Sequence, residues 1–302
     1  MKAIVIHQYG GPDVLKFQDY PDPVVGAGQV LVRVAATSIN PIDIERRTGA
    51  MKEFFPIKFP GVIGVDVAGT VEKIGADVEG FSVGEKVFAY ADQAYAELCA
   101  IPAKTLAKVP QGLDLIDAAA LPLVTTTGYM LIDKGTEIKP RQTVLVIGAL
   151  GSVGRSAVYT AKQRGAMVIA GVRGKQIEQA ASLGVDQVVA TDDESAIAKL
   201  PQMDAVADTV GGKTAEIFLG KVAKGGVFAS VIGPPANAKD YPSVRVVPVY
   251  SEPDIKIQLE MADAVVNEKL AIPIGLKLPL SKAGEGHIAF EKGGAGKVLL
   301  TT

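Results

Sequence analysis

The stretch Val144-Leu-Val-Ile-Gly148-Ala-Leu-Gly151-Ser152-Val-Gly154 decides the fold of this chain. Four apolar residues run directly into three glycines spaced Gly-x-x-Gly-x-x-Gly, and the segment 155–162 that follows has helical character. A buried strand that passes through a tight glycine turn into a helix brings the backbone close to an anion. No Cβ intervenes there, and the first free N–H groups of the helix point at the anion. The order of elements therefore predicts a site for the pyrophosphate of a dinucleotide.

Each glycine of this turn has its own predicted task. Gly148 serves the turn itself, Gly151 and Ser152 allow close approach, and Gly154 lets the helix pack on the strand. A glycine pattern alone is a weak signal, because glycines also mark ordinary turns. The residues predicted to hold the dinucleotide at this turn are Gly148, Ala149, Gly151, Ser152, Val153 and Gly154.

A second apolar strand, 165–172, follows the helix and completes a βαβ unit of about thirty residues, the usual length for this motif. Arg173 stands at its end, where NAD-binding chains usually carry an acid for the ribose hydroxyls. A planar guanidinium, with Lys175 nearby, instead matches the oxygens of a 2′-phosphate. The sequence therefore predicts NADPH as the cofactor. The alternative is that Arg173 is only a solvated charge at a strand end.

Length and composition limit the possible classes of protein. A chain of 302 residues, 48% of them hydrophobic, can fill two sizeable cores. The formal net charge of -2 provides no basic field for nucleic acid and no polybasic face for a membrane. The single cysteine, Cys99, excludes an internal disulfide framework, and no apolar run suits a signal peptide or a membrane span. We expect a cytoplasmic protein that acts on a small molecule.

The pattern of elements changes along the chain. Short apolar segments separated by glycine and proline in the first third predict a compact, mostly antiparallel β fold. From Leu113 onward helix and strand alternate, with a helix predicted over 125–133, and this alternation is typical of a doubly wound parallel sheet. A closing strand, 296–300, has no helix partner, and we expect it to complete the sheet of the first domain. The predicted domains are residues 1–119 with 254–302, and residues 120–253.

Ordered motifs extend over essentially the whole length. They include Val34-Ala-Ala-Thr-Ser-Ile-Asn40-Pro-Ile-Asp43, Pro60-Gly-Val-Ile-Gly-Val-Asp66-Val-Ala-Gly69, Thr127-Gly-Tyr129, Asp208-Thr-Val-Gly-Gly212 and Gly296-Lys-Val-Leu-Leu300. With the glycine turn they resemble the zinc-independent medium-chain dehydrogenases/reductases of the quinone oxidoreductase type, the zeta-crystallin-like family. The resemblance implies an α/β chain with a GroES-like, mostly antiparallel β domain and a Rossmann domain. It also implies NAD(P)H-dependent reduction of a quinone or an α,β-unsaturated carbonyl, which with Arg173 becomes a prediction of NADPH-dependent, metal-free hydride transfer in the cleft between the domains.

The residues that hold catalytic zinc in related alcohol dehydrogenases are missing. Those relatives carry a cysteine near Asn40 to Asp43 and a His-Glu pair inside the segment 64–69, which here reads Gly-Val-Asp-Val-Ala-Gly. A catalytic zinc needs about three clustered protein ligands. The soft ligands of this chain, Cys99, His7 and His287, are far apart in sequence. We therefore predict that no zinc is bound.

The resemblance also places catalytic candidates beside the nicotinamide, namely Asn40, Asp43 and Thr127. Asn40 would offer an amide donor to the substrate oxygen, and Asp43 would orient a water or donate a proton if burial raises its pKa. Tyr129 is a further candidate proton donor. The structural alternatives are that Asn40 starts a turn, Asp43 caps the next helix and Tyr129 packs its ring.

Further cofactor contacts are implied at strand ends. Val210, Ile232 and Gly233 follow the fourth and fifth Rossmann strands, where relatives contact the nicotinamide ribose through backbone; the alternative is plain strand ends. Lys297 resembles a basic residue that lies near the cofactor in relatives, although a lysine on a last strand is usually just exposed. The residues interpreted as structural are Asp66, His287 and Cys99.

Substrate and assembly stay partly open. In many of these reductases tyrosines follow the Asn-x-x-Asp motif and sandwich the quinone, whereas this chain has Glu45, Arg46, Arg47 and Met51 there. An aliphatic enone is therefore an alternative substrate. A 2-enoyl-thioester reductase and a non-enzymatic NADPH-binding redox sensor are alternative functions. Relatives commonly dimerise through the edge of the Rossmann sheet, here the strand 245–249, so a homodimer is expected.

Overall fold

Two compact units make up the chain in the computed structural model, which describes residues 1–294 and 296–302. The first, here called the β unit, joins Met1–Leu123 to Pro253–Thr302. The second, the α/β unit, is Val124–Glu252. The α/β unit is therefore an insertion in the sequence of the β unit.

The regular elements are numbered in chain order. The strands are β1 (Lys2–Ile6), β2 (Lys16–Asp19), β3 (Gln29–Ser38), β4 (Gly61–Val62), β5 (Asp66–Ile74), β6 (Lys86–Tyr90), β7 (Leu98–Pro102), β8 (Leu106–Lys108), β9 (Thr143–Ile147), β10 (Met167–Val172), β11 (Gln187–Ala190), β12 (Met203–Asp208), β13 (Val222–Ser230), β14 (Arg245–Pro248), β15 (Ile274–Pro279) and β16 (Lys297–Thr301). The α-helices are α1 (Pro41–Thr48), α2 (Leu115–Ala118), α3 (Pro122–Met130), α4 (Ser152–Gln163), α5 (Ile177–Ala181), α6 (Glu194–Ala198), α7 (Gly212–Leu219), α8 (Ile255–Val266) and α9 (Ala283–Lys292). In the described part of the chain, none of these helices combines the length and the apolarity needed to cross a lipid bilayer.

A mostly antiparallel sheet forms the body of the β unit. Its strands follow the order β15-β16-β3-β5-β6-β8, with β7 also pairing β3, and a smaller sheet has the order β2-β1-β4. The pair β15–β16 is parallel, whereas β16 runs antiparallel to β3 with Leu299 opposite Ser38. The expectation that the last strand completes the sheet of the first domain is therefore confirmed.

Valines on β3 and β5 explain why these strands pack together. Val30, Val32 and Val34 alternate along β3 and are buried in one core cluster with Val67 and Val71 of β5. Alternate residues of a strand point to the same face, so these positions form one apolar surface. The sheet therefore holds the loops at the end of β3 and the start of β5 in fixed positions.

The α/β unit contains a fully parallel six-stranded sheet in the order β11-β10-β9-β12-β13-β14. Numbered within the unit, this is the order 3-2-1-4-5-6 of dinucleotide-binding folds. Consecutive residues Val144 to Ile147 of the central strand β9 are all buried. Because neighbours along a strand point to opposite faces, both faces of the sheet are covered. The predicted doubly wound parallel sheet is confirmed.

Helix α3 begins earlier than the sequence pattern indicated. The sequence pattern predicts a helix over 125–133, whereas the α-helix is Pro122–Met130 and a π-helical segment, Leu131–Thr136, follows it. Oδ1 of Asp66 accepts a hydrogen bond from the N–H of Leu123 at 2.8 Å. This carboxylate satisfies a first-turn donor as a capping side chain does. The helix start is thus set by a residue distant in sequence.

Candidate functional site

The glycine turn lies between β9 and α4 in the α/β unit. Strand β9 ends at Ile147 and α4 begins at Ser152. Gly148 has a φ of 78°, which residues other than glycine rarely adopt. Its N–H donates to the carbonyl of Gly171 at 2.9 Å, and the N–H of Gly151 donates to the carbonyl of Gly148 at 2.9 Å. The turn is therefore tied to β10 and closed on itself.

Close packing explains why glycine occupies the first and third positions of the motif. A Cβ on Gly154 would lie 2.1 Å from the carbonyl oxygen of Gly148. A Cβ on Gly148 would lie 2.4 Å from Oγ1 of Thr209. In contrast, a Cβ on Gly151 would approach the carbonyl oxygen of Gly148 only to 3.3 Å. Gly148 and Gly154 are thus required by the fold, whereas a Cβ at position 151 would need the carbonyl of Gly148 to move by only a few tenths of an ångström.

The N-terminus of α4 has the chemistry of an anion site. Gly151 is its N-cap residue and no side chain caps the helix. The first-turn N–H groups of Ser152, Val153 and Gly154 have no acceptor within the helix, and a helix of 12 residues adds partial positive charge there. These bare amides fit a pyrophosphate. Ala149 is fully buried and its N–H already donates to β10, so it supports the turn.

Two basic side chains are exposed just after β10. Arg173 and Lys175 follow the end of that strand at Val172, and both side chains are exposed. Oδ1 of Asp192 accepts a hydrogen bond from the N–H of Gly174, between them, at 2.7 Å. The acid therefore anchors the turn. Both cationic groups are accessible to a phosphate ligand.

Backbone donors at the ends of β12 and β13 are already used inside the protein. Oδ1 of Asp208 accepts from the N–H of Val210 at 3.0 Å. Oγ of Ser230 accepts from the N–H groups of Ile232 and Gly233 at 3.1 and 3.2 Å, and itself donates to Oδ2 of Asp208 at 2.6 Å. These three N–H groups therefore already have acceptors inside the protein, and the predicted backbone contacts of Val210, Ile232 and Gly233 with the nicotinamide ribose stay a prediction.

Apolar side chains remain accessible at the same strand ends. Val210 is 51% exposed and Ile232 is 59% exposed, and Val210 lies beside the glycine turn, since a Cβ on Gly148 would be 2.9 Å from its Cγ2. Such a surface can seat the face of an aromatic ring. Sequence reasoning missed the two residues that hold these turns, Asp208 and Ser230. Only Asp208 had a signal in the sequence, because it is an acid at the end of a run of apolar strand residues.

A second group of polar residues meets inside the β unit. Asn40 follows β3, Asp66 begins β5 and Lys297 begins β16, and both β5 and β16 pair with β3. Nδ2 of Asn40 donates to Oδ2 of Asp66 at 2.8 Å, and Nζ of Lys297 donates to Oδ1 of Asn40 at 2.8 Å. The hydroxyl of Ser38 donates to the same Oδ2 of Asp66 at 2.5 Å. The amide of Asn40 is therefore oriented at both ends.

This cluster changes the interpretation of Asn40 and Lys297. Asn40 is 1% exposed and Lys297 is 2% exposed, so in this arrangement the Asn40 amide has no accessible donor for a substrate. The alternative of an exposed Lys297 is wrong, because its ammonium lies 3.5 Å from Oδ2 of buried Asp66. Burial lowers the pKa of Lys297, and the charges of Asp66 and Asp43 oppose this. Lys297 is the counter-ion of a buried acid.

Asp43 combines a capping position with a perturbed pKa. Its Oδ2 accepts from the N–H of Asn40, the residue before α1, at 2.9 Å, which is one half of a capping box. Asp43 is 0% exposed. Burial and then the charge of Asp66 raise the pKa of Asp43 to about 7, against the Asn40 N–H and the charges of Lys297 and Arg46. At neutral pH this carboxyl group exists in both protonation states, as a proton donor requires.

Thr127 and Tyr129 lie on α3 in different surroundings. Gly128, between them, packs on the first turn of α4, because a Cβ added at this position would lie 2.5 Å from the carbonyl oxygen of Val153. Thr127, the residue before Gly128, is buried. The hydroxyl of Tyr129 accepts from Nη2 of Arg164 at 2.8 Å, just after the last residue of α4. Arg164 also contacts the face of the Tyr129 ring, with its guanidinium carbon 5.4 Å from the ring centroid. This placement favours the packing role of Tyr129.

The soft metal ligands named from the sequence have separate partners. Sγ of Cys99 donates to the carbonyl of Asp92 at 3.2 Å, and Nε2 of His7 lies 3.2 Å from Oε1 of Gln18. His287 is buried elsewhere in the β unit. Among residues 1–294 and 296–302, no three His, Cys, Asp or Glu side chains form a group that could hold a metal ion.

Comparisons with known proteins find a matching family model for each of the two units. Residues 26–111 match the family model of the alcohol dehydrogenase GroES-like domain, and residues 152–255 match that of zinc-binding dehydrogenase. The chain is 30% identical to a chloroplast envelope quinone oxidoreductase homolog of Arabidopsis thaliana, over 99% of this chain and 98% of that protein. It is 35% identical to the chloroplastic NADPH-dependent alkenal/one oxidoreductase of Arabidopsis thaliana, over 70% of this chain and 58% of the relative. The structure of Escherichia coli quinone oxidoreductase complexed with NADPH aligns with a TM-score of 0.89 and 26% identity, covering 100% of both chains.

A parallel dinucleotide-binding sheet inserted into a GroES-like β unit defines the chain as an oxidoreductase. The chain belongs to the quinone oxidoreductase family of the medium-chain dehydrogenases/reductases, as its motifs implied. NADPH-dependent reduction is the activity of this family.

Proposed function

We propose that the chain reduces a quinone or an α,β-unsaturated carbonyl with NADPH, by hydride transfer that needs no metal ion. One arrangement in the α/β unit carries the proposal: an uncapped helix N-terminus accompanied by an exposed arginine where NADH-binding chains place an acid. The bare amides fit the pyrophosphate, and the guanidinium fits the 2′-phosphate. The names of the quinone and alkenal/one oxidoreductase relatives support the substrate class.

Each part of the α/β unit has a task in this proposal. The N–H groups of Ser152 and Val153 hold the pyrophosphate, and Arg173 with Lys175 holds the adenosine phosphate. The exposed side chain of Val210 and its neighbours at the strand ends seat the nicotinamide by apolar contact. When bound, NADPH supplies a hydride. The contact of Thr127 with the nicotinamide stays a prediction.

Asp43 is the proposed source of the proton. Hydride addition to the β-carbon of an enone leaves an enolate, which must take up one proton to give the saturated carbonyl. A carboxyl group with a pKa of about 7 can supply that proton at neutral pH. Because Asp43 is fully buried, its proton leaves through a water molecule or a neighbouring group. Asn40, whose N–H bonds Asp43 and whose amide is fixed by Lys297, positions this acid.

The arginines that replace the expected tyrosines are held within the β unit. Nη1 of Arg46 pairs with Oδ1 of Asp92 at 2.6 Å, and Nη2 of Arg47 pairs with Oε1 of Glu291 at 3.0 Å. Arg47 is buried, whereas Arg46 is partly exposed and pairs with an exposed acid. Both quinones and enones therefore belong in the test.

The decisive assay compares cofactors and acceptors directly. Oxidation of NADPH and of NADH is followed at equal concentrations with 1,4-benzoquinone, 9,10-phenanthrenequinone, a short-chain alkenone and a 2-enoyl-CoA. We expect turnover with NADPH and a quinone or the alkenone. Faster turnover of the 2-enoyl-CoA would instead assign a thioester reductase. Tight NADPH binding without turnover of any acceptor would assign a redox sensor, and stoichiometric zinc in the active protein would refute the metal-free part.

Arg173 is tested by substitution in the same assay. For Arg173→Gln we expect NADPH affinity to fall about tenfold or more with NADH binding unchanged, because a hydrogen bond to a charged group contributes about 1.5–3 kcal/mol. Arg141→Gln is the matched control, since Arg141 is exposed just before β9 at the other end of the sheet. Equal losses for both nucleotides, or none for NADPH, would contradict the phosphate role.

A homodimer through β14 is also part of the proposal. Arg245–Pro248 is an edge strand of the α/β sheet, and an unpaired edge can pair with the same edge of a second copy. The N–H of Val249 donates inward to Ser230, and N–H groups alternate sides along a strand, so the N–H of Val246 faces the free edge. Light scattering of the wild-type protein and of Val246→Pro, which removes this edge donor, tests it. A monomeric wild-type protein would rule out this association.

A further inference from the structure

One arginine of the α/β unit lies at the glycine turn, and the proposed function does not yet use it. Arg155 is the fourth residue of α4, which begins at Ser152. Its backbone N–H donates to the carbonyl of Gly151 at 2.8 Å. Nε of its side chain donates to the carbonyl of Leu150 at 3.1 Å. The main chain and the side chain of Arg155 thus bind two consecutive carbonyl groups of the turn.

Helix geometry explains why the guanidinium group lies there. The side chains of an α-helix tilt toward its N-terminus, so that of Arg155 extends back over the residues before α4. Leu150, which it contacts, precedes the N-cap residue Gly151. Arg155 also follows Ser152 by three residues, and residues at this spacing share one face of a helix. The guanidinium group therefore lies on the same side of α4 as the residue that supplies the first bare amide.

The charge of Arg155 has no counter-ion within the protein. The described residues include no acid that pairs with its guanidinium group, and the carbonyl of Leu150 is the only acceptor that the group has among them. The side chain is nevertheless partly buried. Burial lowers the pKa of Arg155, and no nearby carboxylate opposes this effect. Nη1 and Nη2 are therefore left to bind a group from outside the chain.

The other arginines that are partly or fully buried are each paired with an acid. They are Arg46 with Asp92, Arg47 with Glu291, and Arg164 with Asp133. Withdrawing a charge from water costs free energy unless an opposite charge faces it. Arg155 departs from this pattern at the one place in the α/β unit where bare helix amides already favour an anion. An anion bound at the turn supplies the charge that the protein does not.

The balance of charge indicates which anion fits. The pyrophosphate of a dinucleotide carries one negative charge on each of its phosphates, whereas a helix N-terminus offers the equivalent of about half a positive charge. The bare N–H groups of Ser152 and Val153 therefore leave most of that charge without compensation. A guanidinium group adds a full positive charge, and its planar donors match phosphate oxygens bidentately.

We propose that Arg155 is a further cofactor-binding residue, whose Nη1 and Nη2 hold the pyrophosphate while Nε stays bonded to the carbonyl of Leu150. This inference rests on the proposed function, in which the ligand of the turn is a dinucleotide. Arg173 contacts the 2′-phosphate and selects NADPH, whereas Arg155 contacts a group that NADPH and NADH share. The bond to Leu150 orients the guanidinium group before the cofactor arrives, so that less side-chain freedom is lost on binding.

The test measures nucleotide affinities of the full chain without an acceptor. Arg155→Gln is the informative variant, because Nε2 of glutamine follows Cδ as Nε of arginine does and can still donate to the carbonyl of Leu150. The variant thus keeps the contact with the turn and removes both Nη groups. We expect its affinities for NADPH and NADH to fall by the same factor, about tenfold or more, since a hydrogen bond to a charged group is lost. Its urea unfolding should match that of the wild type.

Smaller probes locate the contact on the nucleotide. The dissociation constant of inorganic pyrophosphate, measured by competition with NADPH, should rise about tenfold or more in Arg155→Gln. That of adenosine 2′-monophosphate, which has no pyrophosphate, should not change. Arg155→Lys, which keeps the charge but not the planar donors, should bind pyrophosphate with an affinity between those of the wild type and Arg155→Gln.

Lys162→Gln is the matched control on the same helix. Lys162 is exposed in the last turn of α4, and its Nζ donates to the carbonyl of Leu183 at 3.0 Å. The change therefore also removes one positive charge that is bonded to a backbone carbonyl, but at the end of α4 away from the glycine turn. All affinities should stay at their wild-type values.

Three results would each overturn the inference. The first is an Arg155→Gln variant that binds both nucleotides as the wild type does. The second is a loss confined to NADPH, which would place the guanidinium group on the 2′-phosphate. The third is an unchanged dissociation constant for pyrophosphate, which would place it on the adenine ring. If Arg155→Gln does not fold, the ¹⁵Nη NMR signals of Arg155 in the wild type decide, because they should shift when inorganic pyrophosphate is added and unshifted signals would count against the contact.

The proposed function succeeds or fails separately. A protein that shows the expected losses in Arg155→Gln but reduces no acceptor supports the role of Arg155 and refutes the reductase. A protein that reduces a quinone or an enone, with nucleotide affinities unchanged in Arg155→Gln, supports the reductase and refutes the role of Arg155. A wild-type protein that binds neither nucleotide refutes both.

Discussion

Replacing glycines of the turn by alanine separates its structural role from its binding role. In Gly154→Ala the new Cβ would lie 2.1 Å from the carbonyl oxygen of Gly148, whereas real Cβ atoms essentially never approach below 3.0 Å. The start of α4 must therefore withdraw by at least 3.0 minus 2.1, or 0.9 Å. In Gly151→Ala the corresponding distance is 3.3 Å, and the φ of −68° suits any residue. The two variants add the same methyl group in very different surroundings.

The expected magnitudes differ accordingly. Overpacking of this kind costs about 1–3 kcal/mol, so Gly154→Ala should lower the free energy of unfolding by that amount. The displaced amides should also weaken NADPH binding by about tenfold or more, the equivalent of one charged hydrogen bond. Gly151→Ala should change the free energy of unfolding by less than about 0.5 kcal/mol. Its methyl group should nevertheless weaken NADPH binding by a similar factor, because it occupies the space of the pyrophosphate.

Urea unfolding and NADPH titration by fluorescence measure the two quantities independently. The reasoning fails if Gly154→Ala unfolds like the wild type, because the turn would then have room that the structure does not show. Unchanged NADPH affinity in Gly151→Ala would mean that the pyrophosphate does not rest on this turn.

Three other properties should follow from buried ionisable groups. Because burial raises the pKa of Asp43 from 3.8 to about 7, its contribution to stability is fully present below pH 4 and lost as the pH rises through 7. Urea unfolding should therefore show wild-type stability falling relative to Asp43→Asn by on the order of a few kcal/mol across that range, and parallel curves would contradict the raised pKa. Lys297→Met leaves Asp66 buried without its counter-ion and should cost about 3–5 kcal/mol; adding Asp66→Asn should recover part of the loss, and strictly additive losses would argue against the ion pair. Burial and the nearby charge of Asp92 raise the pKa of Cys99 to about 12, so its thiol should react with iodoacetamide only after unfolding, and rapid labelling of the native protein by mass spectrometry would refute this.

Local patterns in the sequence were sufficient for the architecture. The apolar run into the glycine turn and the alternation of strand and helix after residue 113 predicted the parallel sheet, which the structure confirms. The start of α3 was predicted three residues late, because the donor of Leu123 is satisfied by Asp66, 57 residues away. Such a cap leaves no trace in the sequence next to the helix.

The catalytic candidates were only partly predictable. The motif that contains Asn40 and Asp43 predicted a polar site in the β unit, but not the hydrogen bonds of Asn40 to Asp66 and Lys297. Tyr95 and His287, whose hydroxyl and Nε2 lie 3.1 Å apart inside the β unit, belong to segments without a recognisable motif. A histidine on a helix is usually a packing residue, and only its contact with Arg47 at 3.1 Å distinguishes this one.

The sequence alone determined the order of elements, the glycine turn and the basic residue after β10, because each depends on neighbouring residues and on the backbone freedom of glycine. Only the tertiary structure decided the state of the ionisable groups. Lys297 meets Asn40 across 257 residues of sequence, and His287 meets Tyr95 across 192. A pKa depends on burial and on the nearest charges, and antiparallel pairing and helix packing bring those neighbours together.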